Sequence, residues 1–165
     1  MNIKLTGKEK RWIMYDVGNS AFALLVSTII PIYFNYLAGK AEISSVNYLA
    51  YWGYAASICT IIVALLGPVC GTLADTKGFK KPVFLISIFI GSIACAMLGA
   101  CVQWLVFLIV FVIAKIGFSS SLIFYDSMLV DVTDEKRMDY VSSQGFAWGL
   151  SLIHISEPTR RRGIS

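Results

Sequence analysis

Long stretches without any charged residue constrain this sequence more than any other feature. Three of them cover residues 17–39, 43–74 and 82–114, and a fourth apolar stretch, 116–125, follows a single lysine. A helix needs about 20 apolar residues to cross a hydrocarbon core about 30 Å thick. Only 15 % of all residues are charged, whereas soluble domains have about 25 %. The chain is therefore predicted to be an all-α, polytopic membrane protein.

The distribution of polar residues predicts four spanning helices and the start of a fifth. They cover about residues 12–37, 48–73, 82–101, 103–126 and the residues from 142 onward. The stretch 82–125 must hold two helices, because about 44 residues in one helix would extend about 66 Å. A break is expected near 101–104, where Gln103 and Trp104 suit a membrane interface. Residues 1–11 then form a polar N-terminal segment, and residues 12–150 form a partial transmembrane bundle.

Lysine and arginine are unevenly distributed among the predicted connections. The N-terminal segment has four of them, the second connection three and the fourth two, whereas the first has only Lys40 and the third has none. By the positive-inside rule, this places the N-terminus in the cytoplasm. We expect a multi-pass protein, most simply in a bacterial cell membrane. The net charge of +4 is too diluted by apolar sequence to indicate a nucleic-acid partner.

Catalytic and metal-binding patterns are missing from the sequence. The four cysteines have no CxxC spacing, and the one histidine, His154, lies in the C-terminal segment. We predict no metal, no cofactor and no catalytic residue, so that an intramembrane enzyme is the least favoured function.

Lys115 is the clearest ionisable residue within a predicted span, about twelve residues into the fourth helix. A charge at the bilayer centre costs roughly 2.5–3.5 kcal/mol on insertion scales. Lys115 either lines the path of a solute or coupling ion, or forms a structural ion pair with another helix. Asp126 shares its helix face but lies about 16 Å further along, too far to be a direct partner.

The first predicted helix has a stripe of small and polar residues. Asp16, Asn19, Ser20, Ser27 and Phe34 fall within about 60° of one direction at 100° per residue. Such a face suits a hydrated cavity. Because Asp16 is only one turn into the predicted helix, where the helix dipole favours a carboxylate, a structural role and an ion-binding role both stay open.

Small residues also indicate where helices approach closely. Ser87, Gly91, Cys95 and Gly99 recur at every fourth position of the third predicted helix, which gives it a flat strip for packing. Gly67 and Gly71 are expected to serve the same purpose in the second helix.

The second connection holds the most specific motif, GTLADTKGFKK over residues 71–81. Asp75 can accept hydrogen bonds from the start of a neighbouring helix, and Gly78 permits a tight turn. Lys80 and Lys81 are expected to hold the connection at the cytoplasmic face.

The pattern G-x-x-x-D-x-x-G-x-K-K resembles the signature loop of the major facilitator superfamily. Three further stretches narrow the resemblance to its vacuole-effluxer-like branch, related to the yeast autophagy permease that releases amino acids from vacuoles. They are WIMYDVGNS at 12–20, FYDSML at 124–129 and VSSQGFAWG at 141–149. The resemblance covers about residues 10–149.

This resemblance implies twelve helices in two six-helix halves, with the first and fourth helices lining the cavity. It places two groups of residues. On or near the path of the solute or ion are Asp16, Asn19, Ser27, Lys115 and Asp126. In a cytoplasmic gate are Gly71, Asp75, Gly78, Lys80 and Lys81. Two residues depart from the family pattern: Asp126 replaces a usual asparagine, and Lys115 replaces an uncharged polar residue.

Residues 151–160, SLIHISEPTR, resemble the reading-frame translation of a transposase sequencing adapter. We therefore expect residues 151–165 to be derived from an adapter, and the native reading frame to continue beyond about Leu150. The alternative is a natural basic tail after the fifth helix.

These features favour a secondary active transporter that works by alternating access. The expected partners are the lipid bilayer, the missing C-terminal half of the same protein and a small polar solute, with amino-acid-like compounds among the candidates. Protons are a candidate coupling ion, because Asp16 and Lys115 can titrate when desolvated. The alternative is a non-transporting tetraspan scaffold or assembly factor.

Overall fold

The computed structural model describes residues 4–76 and 78–156, with side chains up to residue 151, and every regular element in this part of the chain is an α-helix. The helices are α1 (Gly7–Ser27), α2 (Ile29–Lys40), α3 (Ser45–Asp75), α4 (Lys80–Leu98), α5 (Trp104–Ser127), α6 (Leu129–Val132) and α7 (Glu135–Ser156). The predicted adapter-derived segment 151–165 lies largely outside the described residues.

Four segments of the described chain are long and apolar enough to cross a membrane. They are α1 together with α2 (Gly7–Lys40), α3, α4 and α5. The prediction of an all-α, polytopic membrane protein is confirmed.

The first span differs from its prediction at both its start and its middle. It begins at Gly7, five residues before the predicted position 12, and it is interrupted at Thr28 between α1 and α2. Pro31 explains the interruption, because a proline has no N–H and its ring clashes with the carbonyl four residues earlier, which here is that of Ser27. At the interruption, the Leu24 carbonyl accepts from the Thr28 N–H at 3.0 Å and from the hydroxyl groups of Ser27 and Thr28 at 3.1 and 2.6 Å.

The last helix also begins earlier than predicted. α7 starts at Glu135, seven residues before position 142, so that charges assigned to a connection lie in its first turns. An acidic residue there is favoured by the helix dipole, and the Asp134 carbonyl accepts from the Arg137 N–H at 2.8 Å.

The chain divides into two compact units, each described by itself. The first contains Met1–Ile30 and Leu129–Ser165, and the second contains Pro31–Met128. In the first unit α1 packs along α7, with α6 beside α1. In the second unit α5 packs against both α3 and α4.

The contact between α4 and α5 depends on two glycines. A Cβ added at Gly117 would lie 2.8 Å from the Gly91 backbone nitrogen, and one at Gly91 would lie 3.0 Å from the Phe118 ring. The predicted strip on α4 therefore packs closely at Gly91, beside the buried Ser87, whereas Gly99 meets no other helix within 4 Å.

Aromatic rings fill the space between α2, α3 and α5. Phe34 is fully buried and stacks on Tyr48, Trp52 and Phe107, with ring centroids 5.2, 5.7 and 6.0 Å apart. The placement of Phe34 on a hydrated face is therefore wrong. The interruption at Thr28 explains the error, since a period of 100° per residue does not continue through a break.

Candidate functional site

The first unit carries the polar face of α1. Asp16, Asn19 and Ser20 are half-buried, whereas Ser27, at the end of the helix, is exposed. Asp16 lies nine residues after Gly7, about two and a half turns into the helix. The expectation that the helix dipole stabilises this carboxylate is therefore wrong, because the dipole acts only within the first turn.

The helix α7 meets this face through two glycines. A Cβ added at Gly145 would lie 3.1 Å from Asp16 Oδ2, and one at Gly149 would lie 2.6 Å from Ser20 Oγ. Asp16 forms no hydrogen bond or ion pair with another described residue. Its carboxylate is thus packed against α7 on one side while its hydrogen-bonding capacity remains unused among those residues.

A second carboxylate on α1, Glu9, is surrounded by polar partners. It is 1 % exposed, and it accepts hydrogen bonds from the Thr6 N–H (2.7 Å), the Thr133 hydroxyl (2.8 Å) and Arg137 Nη2 (3.1 Å). Arg137 also donates to the Lys4 carbonyl at 3.0 Å. The Glu9 cluster, defined as these five residues, ties the start of α1 to the start of α7.

The Glu9 cluster was missed by the sequence analysis, although a local signal exists for part of it. Thr6 and Glu9 form a capping box, in which each side chain accepts from the other residue's backbone N–H. The pattern Thr-x-x-Glu before an apolar run is the known signature of such a helix start. The partners Thr133 and Arg137 are more than 120 residues away in sequence, and no local pattern identifies them.

Lys115 lies in the second unit, at the centre of α5. It is eleven residues from Trp104 and twelve from Ser127, as expected for a residue near the middle of a span. The side chain is half-buried and close enough to the buried thiol of Cys59 on α3 to act on it electrostatically. Within the described part of the chain, Lys115 has no hydrogen-bonded or ion-paired partner.

The predicted gate residues lie where α3, α4 and α5 end or begin. Gly78 has a φ of +92°, a left-handed conformation that glycine adopts at little cost. Lys80, the first residue of α4, donates from Nζ to the Ser127 carbonyl at the end of α5, at 3.2 Å. Cations stabilise such C-terminal carbonyls through the helix dipole.

An apolar cluster beneath this connection holds the three helix ends together. Cys70 and Ala74 of α3 and Phe124 of α5 are buried there, and Phe84 of α4 packs against them. The ends of α3, α4 and α5 are therefore joined by this apolar cluster and by the hydrogen bond from Lys80 to the Ser127 carbonyl.

Four other predicted residues lie at the surface or make no close contact with another helix. A Cβ at Gly71 would meet nothing within 4 Å, because α3 packs through the face of Cys70 and Ala74 and Gly71 lies about 100° away. Asp75 is exposed and bonds no neighbouring helix start among the described residues. Asp126 and Lys81 are also exposed, Asp126 one residue before the end of α5.

Comparisons with known proteins find two matches. A family model described as "Vacuole effluxer Atg22 like" matches residues 39–145. Over 149 residues, the chain is 40 % identical to the "Uncharacterized MFS-type transporter YxiO" of Bacillus subtilis (strain 168), a match that covers 88 % of this chain and 35 % of that protein. The chain thus spans about a third of the length of this relative. No solved structure matches it significantly.

Proposed function

Since the chain belongs to the Atg22-like vacuole effluxer family of the major facilitator superfamily, we propose that it is part of a secondary active transporter for a small polar solute. The transporter works by alternating access, and amino-acid-like compounds are the first candidates for its solute. A second half of the same protein completes the cavity; the chain's coverage of 35 % of its relative supports this.

The main support for this proposal is the half-buried ammonium group of Lys115 at the centre of α5. A cation at the centre of a span is costly unless water, a counter-charge or a ligand reaches it. Its neighbour Cys59 provides no opposite charge at neutral pH. An anionic group of the solute satisfies Lys115 during transport, and Asp16, with Asn19 and Ser27 on the same helix, lines the path of a coupling ion such as a proton.

The orientation is part of the same proposal, with the N-terminus in the cytoplasm of a bacterial cell. The contacts within the first unit support it, because Glu9 meets Arg137 and Ser20 meets Gly149, so that α1 and α7 run parallel. Parallel helices have their first turns on the same side. Their first turns both carry lysine and arginine, which favour the cytoplasmic side.

Replacement of Lys115 by methionine in the full-length protein tests the proposal. Methionine keeps an unbranched side chain and removes the charge, so we expect counterflow of radiolabelled amino acids in proteoliposomes to fall at least about thirtyfold. The matched control is Lys136→Met, at an exposed position of α7, which should transport like the wild type. Undiminished counterflow in Lys115→Met would remove Lys115 from the mechanism.

A further inference from the structure

Gly145 and Gly149 differ from the other helical glycines of the described chain in what they touch. The Cβ positions of Gly18, Gly53, Gly67 and Gly71 meet nothing within 4 Å. The three atoms nearest to that of Gly117 are backbone atoms of α4, and that of Gly91 meets the ring and backbone of Phe118. Gly145 and Gly149 instead meet the polar side chains of Asp16 and Ser20. One of these contacts therefore concerns Asp16, to which the proposed function assigns the ion path, and the other concerns Ser20, one turn further along the same helix.

The two glycines of α7 restrict the position of the Asp16 carboxylate but do not provide it with a hydrogen bond. Both glycines lie in the interior of α7, where each backbone N–H is already bonded to the carbonyl four residues earlier. They can cover one side of the Asp16 carboxylate through close contact and weak Cα–H···O interactions, but they offer no N–H or O–H donor. A methyl group at Gly145 would make the Asp16 carboxylate shift slightly, since its oxygen lies 3.1 Å from the Cβ position and the Trp12 ring, at 3.4 Å, limits the space beside it.

The Glu9 cluster independently fixes the register of the two helices. Glu9 precedes Asp16 by seven residues, so both lie on nearly the same face of α1. The hydrogen bonds from Thr133 and Arg137 prevent α7 from sliding along that face. Gly145 and Gly149 consequently meet Asp16 and Ser20, and not the residues one turn away.

We infer that Gly145 and Gly149 are positioning residues, which hold the Asp16 carboxylate and the Ser20 hydroxyl in place while leaving their hydrogen-bonding capacity to the transported solute or ion. This inference rests on the proposed function and adds Ser20 to the polar path. It also predicts that the glycines are needed for a reason separable from folding.

Labelling with radioactive dicyclohexylcarbodiimide tests this without knowledge of the solute, because the reagent modifies protonated carboxyl groups in apolar surroundings. In the full-length protein, the label lost in Asp16→Asn defines the contribution of Asp16. We expect Gly145→Ala to lower this labelling, per folded molecule, by about threefold, since the added methyl group requires only a small shift of the carboxylate oxygen now 3.1 Å away, and a full 1 Å misplacement costs up to about a hundredfold. The KM for amino-acid counterflow should rise by a similar factor.

Two control variants separate positioning from folding. Gly18→Ala adds a methyl group to α1 in open space, and Gly117→Ala forces a methyl group against the Gly91 backbone. The first should label like the wild type, and the second should lower the amount of folded protein but not the Asp16 labelling of each molecule. If Gly145→Ala behaves like Gly117→Ala, the inference is overturned.

Gly149 allows a rescue experiment even if its single variant fails to fold. Removal of the Ser20 hydroxyl leaves the Ser20 Cβ at 3.5 Å from the Gly149 Cβ position, an ordinary contact. Ser20→Ala/Gly149→Ala should therefore recover folding and Asp16 labelling that Gly149→Ala loses, and no recovery would overturn the inference. A wild type that labels as expected but transports no amino acid would contradict the proposed solute and leave the positioning role intact.

Discussion

Two carboxylates on one face of α1 have opposite surroundings. Glu9 is 1 % exposed and accepts from a backbone N–H, a hydroxyl and a guanidinium group. Asp16, two turns further on, is half-buried and contacts a glycine-lined helix without a hydrogen bond to any described residue. A buried carboxylate is tolerated only when it is paired and hydrogen-bonded. The two carboxylates therefore differ in the number of hydrogen-bond donors that the described residues provide, which is the difference on which the proposed role of Asp16 rests.

The same pair of helices, α1 and α7, holds both carboxylates. The contacts of Glu9 are long-range in sequence and fix α1 on α7, and the glycines further along α7 then hold Asp16 without satisfying it. Stability is concentrated at one end of the helix pair. The carboxylate without a hydrogen bond to any described residue lies two turns away on the same face.

The largest effect is expected from Glu9→Ala. The substitution leaves Arg137, Thr133 and the Thr6 N–H without their common acceptor, which should lower the free energy of unfolding by about 3 kcal/mol. Thermal unfolding of the detergent-solubilised full-length protein should show an apparent Tm lower by roughly 5–10 °C.

Asp139→Ala serves as the matched control for Glu9→Ala, since it removes an exposed carboxylate from α7. Its free energy of unfolding should remain within about 0.5 kcal/mol of the wild type. A wild-type Tm in Glu9→Ala would mean that the Glu9 cluster contributes nothing to stability, and the contrast with Asp16 would disappear.

Asp16→Asn should lower transport and leave stability nearly unchanged, in contrast to Glu9→Ala. Asparagine has nearly the same shape, and no hydrogen bond to a described residue is lost, so the apparent Tm should stay close to that of the wild type. Transport coupled to proton movement should fall about a hundredfold, a typical effect of removing a positioned proton-transfer group. Net amino-acid uptake into proteoliposomes driven by an imposed pH gradient measures it. A large drop in Tm with normal transport would assign Asp16 to structure instead.

The smallest effect is expected from Thr6→Ala. The variant loses the hydroxyl that accepts from the Glu9 N–H at 3.3 Å, and helix caps of this kind contribute about 1 kcal/mol. The apparent Tm should fall by roughly 2–4 °C, and Thr6→Ser should restore most of it. Equal Tm values for Thr6→Ala and the wild type would show that the capping box is dispensable to the Glu9 cluster.

The sequence predicts the limits of the central helices well and the starts of α1 and α7 less well. The helices α3, α4 and α5 begin and end within about three residues of the predicted limits, because each consists almost entirely of one long apolar stretch. The starts of α1 and α7 were placed too late, since Lys8, Glu9 and Arg137 were interpreted as belonging to connections. Charged residues are common in the first turns of a helix, and a capping signal is the better guide.

Some features of the candidate site also follow from local sequence, whereas others do not. The central position of Lys115 and the turn at Gly78 follow from local sequence. The carbonyl that Lys80 binds, the partners of Glu9 and the glycines that meet Asp16 depend on contacts between distant segments, which no period or motif specifies. Ser27 is exposed rather than lining a closed face because Pro31 ends α1 there.

The hydrogen bond from Lys80 to the Ser127 carbonyl has a consequence for the evolution of this protein. A lysine at the very start of one helix can reach the end of another only if the stretch before it is neither lengthened nor shortened. Point changes at exposed positions such as Thr76 and Phe79 leave that distance intact, whereas an inserted or deleted residue does not. Selection should accordingly tolerate substitutions at these exposed positions, retain Gly78 for its left-handed backbone, and reject changes in the length of the connection.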